Sequence, residues 1–187
     1  MFLGYKAGLE NTEGRSNIFI GQRAGESNLG EEDHTSGNEN IFIGDRSGLN
    51  NTEGYSNVYV GTSAGHHNEN GSFNVFVGDA AGLNVGHDVG DATWVSSSNT
   101  IIGNNAAAQA DALKSGNVFV GLRSGYYSEG SRNVYIGERA GYNGNGSNNV
   151  FLGYKAGRDQ SGSGCPTETP CLPGKGSSHR VNAAGIR

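Results

Sequence analysis

Asn57-Val-Tyr-Val-Gly61-Thr-Ser-Ala-Gly65 is the clearest copy of a pattern that the chain repeats along most of its 187 residues. An asparagine precedes a hydrophobic triplet, a glycine ends the triplet, and a second glycine follows four residues later. The triplet-ending glycines are 16 to 18 residues apart, except for two longer spacings of 23 and 25. Self-similarity at a short fixed period is the signature of a stacked repeat. The residues of the pattern are therefore expected to be structural, and functional residues are to be sought where the chain departs from it.

The hydrophobic triplets predict β-strands. They are rich in Val, Ile, Phe and Tyr and are bounded by Asn and Gly, which is typical of short strands. Glycine every few residues would destabilise a helix by about 1 kcal/mol per glycine. We therefore predict an all-β fold, a parallel β-solenoid of about nine coils of 16–18 residues. The repeat domain covers residues 1–157 with loop insertions near 27–38 and 84–98, and 158–187 is expected to be a flexible tail without repeats.

Composition narrows the functional classes. The chain has 33 glycines, three prolines and a net charge of −5 without a basic block, which argues against nucleic acid as a partner. No apolar run is long enough to cross a membrane, so no membrane insertion is expected within the chain. The first residues form a clipped repeat, from which we expect the chain to be a piece of a longer protein. Cys165 and Cys171 are compatible with either a small disulfide loop or two free thiols.

The asparagine before each triplet predicts a structural amide ladder. Identical side chains on successive coils can hydrogen-bond one another when the coils stack in register. This interpretation is favoured over a ligand site for the whole set of eight asparagines: Asn17, Asn40, Asn57, Asn74, Asn99, Asn117, Asn133 and Asn149.

The middle residue of each triplet is expected to form an aromatic column, interrupted at Ile101. Side chains alternate faces along a strand, so this column and the flanking aliphatic residues point in opposite directions. If the aliphatic residues fill the coil, the aromatic residues need another subunit to cover them. On this reasoning we predict an oligomer interface formed by Phe2, Phe19, Phe42, Tyr59, Phe76, Phe119, Tyr135 and Phe151. The opposite arrangement, with aromatic residues inside and aliphatic residues outside, predicts an interface on the other face.

The pattern Asn-x-x-[Ile/Val/Leu]-Gly-x-x-[Ala/Ser]-Gly resembles the head repeats of trimeric autotransporter adhesins, the YadA-like family. The resemblance covers residues 1 to about 157, although the period here is longer and an aromatic residue occupies a position that is small in that family. It implies a left-handed parallel β-roll that assembles as a homotrimer. Similar repeats are also found in large bacterial surface proteins and in the shafts of phage tail fibres.

The sequence contains no recognisable catalytic motif, and we expect neither an enzyme nor a bound cofactor. The five histidines are scattered without the spacing of a metal site. The second insertion carries the candidate ligand-binding residues His87, Asp88, Asp91 and Trp94. The two aspartates could bind a cation, but a solvated loop is favoured. Trp94 could stack on a sugar or a partner protein, or fold back over the gap at Ile101.

Basic residues recur two positions after the triplet-ending glycine. Stacking would align them in a stripe, for which an ion-paired, solvated edge is favoured over a track that binds polyanions. The stripe consists of Lys6, Arg23, Arg46, Arg123, Arg139 and Lys155, with interruptions at Ser63, Ala80 and Asn105.

These features together predict a non-enzymatic structural or adhesive module of an exported fibre, either the head or the stalk of a surface adhesin. The expected location is extracellular or on the bacterial cell surface, and a host-surface protein or glycan is the expected partner class. A phage tail-fibre shaft is the first alternative. A carbohydrate-active β-helix enzyme is less favoured, since it would need carboxylates on one face of the rod, where the strands carry aliphatic and aromatic residues.

Overall fold

A computed structural model of the chain describes residues 1–30, 36–87, 96–111 and 113–159. These residues form one parallel sheet of nine strands, paired in the order in which they occur in the sequence. The strands are β1 (Phe2–Leu3), β2 (Ile18–Ile20), β3 (Ile41–Ile43), β4 (Val58–Val60), β5 (Val75–Val77), β6 (Thr100–Ile102), β7 (Val118–Val120), β8 (Val134–Ile136) and β9 (Val150–Leu152).

The predicted all-β parallel solenoid is confirmed. The chain makes about eight turns, and the part that the structure describes contains no helix. Each strand pairs with the equivalent strand of the next coil, so that Tyr59 lies opposite Phe76 and Phe119 lies opposite Tyr135. The register is uniform because the same motif enters and leaves every strand. Residues 160–187 of the predicted tail, and the residues of the two insertions at 31–35 and 88–95, lie outside the described residues.

Glycine is required at two points of each coil for two different reasons. Gly61 has a φ of 136°, and a Cβ atom at this position would collide with the carbonyl oxygen of Gly78 in the next coil. Gly65 has a φ of 60°, and a Cβ atom there would lie 2.5 Å from Cε2 of Tyr59 in the same coil. The first glycine therefore permits close stacking of the coils. The second makes room for the aromatic ring.

The aromatic column lies inside the single chain. The rings stack nearly parallel along the rod, with centroids 4.8 Å apart between Phe42 and Tyr59 and again between Tyr59 and Phe76. Ile101 interrupts the column, as predicted, and is fully buried. Small residues such as Ala64 and Gly65 line the opposite wall of the coil, and this leaves the width that a ring needs.

The prediction that these aromatic side chains form the oligomer interface is wrong. The chain itself buries Phe19, Phe42, Tyr59, Phe76, Phe119, Tyr135 and Phe151, and Phe2 stacks on the end of the same column with 45% of its surface exposed. Side chains without solvent-exposed surface cannot contact another subunit. The opposite arrangement is the one observed, and the aliphatic residues of the strands face outward.

Candidate functional site

The outer face of the sheet is almost entirely apolar. In β2 to β9 the central residue of each strand is buried, while both flanking residues are partly or well exposed. Fifteen of these sixteen flanking residues are Val, Ile or Leu, and Thr100 is the exception. We call this surface the aliphatic face.

The aliphatic face is a contiguous apolar patch along the rod. Eight coils stacked about 4.8 Å apart, with a width of about 10 Å, give an area on the order of 400 Å². Its last two coils are the most open, with Ile136 exposed by 42% and Leu152 by 47%. Contiguous apolar patches of this size commonly mark interaction sites. The face is therefore the first candidate for contact with another chain.

The predicted asparagine ladder is present, with a geometry that differs in part from the one expected. Each side-chain oxygen accepts a hydrogen bond from the backbone N–H of the next ladder asparagine, for example from Asn57 to Asn40 at 3.0 Å and from Asn74 to Asn57 at 2.9 Å. The amide nitrogen mostly donates to a turn carbonyl, as Asn57 does to Gly71 at 2.7 Å. Direct bonds between two side chains occur as well, for instance from Asn117 to Asn99. These asparagines satisfy buried backbone groups, so they are not available for a ligand.

A second asparagine column was not predicted. It stands three residues after the second glycine of each coil and contains Asn11, Asn28, Asn51 and Asn68. The first three bond one another, as in the 2.9 Å bond from Asn51 Nδ2 to Asn28 Oδ1, whereas Asn68 Nδ2 donates to the backbone carbonyl of Val85. Later coils replace them with Val85, Ala110, Ser128 and Gly144. The column is visible in the sequence only when the coils are aligned on the second glycine, and only over the first four coils.

Three histidines meet on one edge of the rod, the consecutive His66 and His67 and the more distant His87 of the next coil. The ring centroids of His66 and His67 are 4.2 Å apart, and those of His67 and His87 are 4.7 Å apart. Burial lowers the pKa of His66 to about 4, and the neighbouring His67 and Arg46 act in the same direction. Burial also lowers the pKa of His67. The interpretation of the histidines as scattered is therefore wrong for these three.

The histidine rings have polar neighbours on the same edge. Nδ1 of His67 lies 3.0 Å from the amide nitrogen of Asn50, and His87 Nδ1 lies 3.9 Å from the carboxylate of Glu69. Within the described ranges, no group of three or more His, Cys, Asp or Glu side chains is arranged to hold a metal ion. Of the predicted ligand-loop residues, His87 joins this cluster. Asp88, Asp91 and Trp94 lie outside the described residues.

The basic stripe makes ion pairs at one end and contacts with tyrosine rings at both ends, since Lys6 Nζ also lies 5.8 Å from the ring centroid of Tyr5. Lys6 and Arg23 both pair with the carboxylate of Glu26 in the early coils. Arg23 holds the pKa of Glu26 below its usual value. At the other end, Arg123 and Lys155 lie over tyrosine rings, at 5.9 Å from the centroid of Tyr126 and 4.6 Å from that of Tyr154. The expected ion pairing thus holds at one end of the stripe.

Comparison with protein-family models, with curated proteins and with solved structures finds no significant match to this chain. Among the residues that the structure describes, no helix is long and apolar enough to cross a membrane. The functional conclusion therefore depends on the surface of the solenoid.

Proposed function

We propose that this chain is a non-enzymatic, rigid module of an exported surface fibre, and that it assembles into a homotrimer through the aliphatic face. The observation that carries the proposal is the contrast between a packed interior and an open exterior. The aromatic column and the asparagine ladder that begins at Asn17 pack within one chain, whereas no described residue covers the aliphatic face.

Rigidity along the rod supports a mechanical role. Each of the strands β2 to β8 bonds to a neighbour on both sides, and additional backbone bonds join the turns, such as Arg46 N–H to Gln22 O at 2.8 Å and Gly65 N–H to Ala81 O at 3.0 Å. Stacked coils of this kind transmit load along the backbone hydrogen bonds that join them, and they make the module long. Multivalent display on such a fibre increases avidity without new contacts in each subunit. The resemblance to trimeric adhesin heads agrees with this role.

Sedimentation equilibrium of the full chain tests the assembly. We expect a mass three times that of the 19.4 kDa chain. Replacing Val60 and Val77 together with lysine places two charges on the aliphatic face, and we expect this variant to sediment as a monomer. Charged groups removed from water without a partner are strongly unfavourable.

The matched control is Thr62→Lys, which adds a charge in the same coil at the corner beyond the strand and should remain a trimer. Far-ultraviolet circular dichroism shows whether each variant retains the β-solenoid. A wild-type chain that stays monomeric at high concentration would contradict the proposed assembly, as would a trimer that survives both lysines.

A further inference from the structure

We propose that the edge of coils seven to nine binds an acidic polysaccharide, through a patch formed by Arg123, Tyr126, Tyr127, Tyr142 and Arg158. We call it the tyrosine–arginine patch. It deepens the proposed adhesive role by naming a ligand class, and its binding chemistry does not depend on the oligomeric state.

The patch includes the residues that directly follow the second glycine of the last coils. At the other end of the rod, a glutamate at this position neutralises the basic stripe. Glu26 follows the second glycine of its coil and pairs with Lys6 and Arg23. The equivalent positions of the last three described coils hold Tyr126, Tyr142 and Arg158. Within the described part of the chain, neither Arg123 nor the stripe residues Arg139 and Lys155 form an ion pair. The stripe is therefore left cationic at this end, and an aromatic surface stands beside it.

The local charge is opposite to that of the whole molecule. Residues 117–159 contain five basic and three acidic side chains, whereas the chain as a whole has a net charge of −5. One of the acidic residues, Asp159, lies 3.7 Å from Arg158, but both side chains are well exposed to water. Exposed pairs of this kind are weak. An anionic ligand would thus meet a local excess of positive charge here, whereas the acidic excess of the chain lies in residues 1–116.

The tyrosines are arranged as a platform with a polar rim. The rings of Tyr126 and Tyr142 are stacked, with centroids 5.2 Å apart and planes within 5°. Tyr127 stands at right angles to both and is 48% exposed. Arg123 and Arg158 lie 5.9 Å and 6.0 Å from the ring centroids of Tyr126 and Tyr142. Aromatic residues with one apolar and one polar end are suited to surfaces that are only partly desolvated.

This arrangement fits a sugar acid better than a nucleic acid. The faces of Tyr126 and Tyr142 cover each other, so a flat base has no gap to enter between them. The exposed ring of Tyr127 can instead pack against the C–H face of a pyranose. Guanidinium groups match carboxylate or sulfate substituents with paired hydrogen bonds. Successive coils would meet successive sugar units along the chain.

The test measures binding of a heparin-derived hexasaccharide to the full chain by isothermal titration calorimetry. We expect Tyr127→Ala and Arg123→Gln each to weaken binding about tenfold, the magnitude of losing one aromatic or charge-assisted contact. Raising the salt concentration should weaken wild-type binding because it screens exposed charges. The matched controls are Arg46→Gln and Tyr5→Ala, which remove an exposed stripe arginine and an exposed tyrosine in other coils. They should bind like the wild type.

Three outcomes would overturn the site: no binding of the hexasaccharide by the wild type, equal losses in the control variants, or tighter binding of a single-stranded DNA oligonucleotide than of the hexasaccharide. A neutral dextran oligomer should not bind, and if it binds equally well the charged groups are not the determinants. Thermal melting of each variant identifies any loss due to unfolding. Because the measurement uses the isolated chain, it can fail while the trimer is confirmed, and it can succeed while the trimer is refuted.

Discussion

At the scale of single residues, each aromatic residue of the column is matched by a glycine in the same coil that leaves space for its ring. The glycine six residues after the aromatic residue faces that ring, as Gly65 faces Tyr59 and Gly157 faces Phe151. One described coil has no aromatic residue in the column, and the same coil has alanine in place of that glycine. Ile101 and Ala107 are both fully buried, and Ala107 retains a φ of 49° that normally favours glycine. The alanine methyl therefore takes up space that a ring fills elsewhere.

This coupling predicts a non-additive double-mutant cycle. Ile101→Phe alone should destabilise the chain by about 1 to 3 kcal/mol, because a ring overpacks against the methyl group of Ala107. Ala107→Gly alone should have a small effect, since a lost methyl contact is offset by relief of the left-handed backbone conformation. In the double variant the ring gains its space, and we expect it to be more stable than Ile101→Phe by at least 1 kcal/mol. Chemical denaturation measures all four chains, and strictly additive changes would refute the coupling.

At the scale of one coil, the sequence predicts the strands and their register because identical motifs enter and leave each strand. It does not determine which face is buried. A triplet such as Val58-Tyr59-Val60 is apolar at all three positions, so the usual alternation of apolar and polar residues gives no signal. In one coil Ile101 replaces the aromatic residue and Ala107 replaces the glycine. This paired replacement indicates that the aromatic face is buried, since the glycine is needed only if the ring points inward. The repeat pattern also does not predict the second asparagine column, because Val85 and Ala110 replace the asparagine in later coils.

The contact between neighbouring coils at the histidine cluster predicts a pH-dependent stability. His66 has a folded-state pKa of about 4, below its ordinary value of 6.5, so the unfolded chain binds a proton more readily than the folded one. The stabilising contribution is fully present above pH 6.5 and is lost as the pH falls towards 4. His67 shifts in the same direction, while Asp45 near His66 and Asp111 near His67 oppose the shifts.

We therefore expect the melting temperature to fall between pH 6.5 and pH 4, and to fall less in the variant His66→Gln. The difference between the two chains isolates the histidine from carboxylates that titrate over the same range. His87→Gln serves as the control at the exposed end of the cluster. If wild type and His66→Gln lose stability in parallel over this range, burial of the His66 ring is not the cause.

At the scale of the whole molecule, the solenoid is a one-dimensional stack in which each coil contacts only its neighbours. The stability of such a stack is approximately a sum of coil terms and interface terms. The stacked rings extend without interruption from Phe2 to Phe76 and from Phe119 to Phe151, with Ile101 between the two groups. A defect inside the stack thus affects two interfaces, whereas a defect at an end affects one.

The asparagine ladder makes this difference measurable. Asn57→Ala removes the acceptor for the backbone N–H of Asn74 and the donor to Gly71 O, so two buried backbone groups lose their partners. Each such loss costs about 1 to 3 kcal/mol, and we expect a total of about 2 to 5 kcal/mol. Asn149 directly precedes the last described strand, and its side chain donates to Asn133 Oδ1, which also accepts from the Asn149 backbone. Asn149→Ala should therefore cost only about 1 kcal/mol.

Urea denaturation of both alanine variants, followed by circular dichroism, compares the two positions. Hydrogen exchange then locates the damage. In the Asn57 variant, protection should fall between β4 and β5, because both lost bonds join Asn57 to the next coil, while β7 to β9 keep their protection. Equal destabilisation at Asn57 and Asn149 would show that the ladder acts through the whole rod and not through adjacent coils. It would also mean that the stability of this solenoid cannot be divided into nearest-neighbour terms.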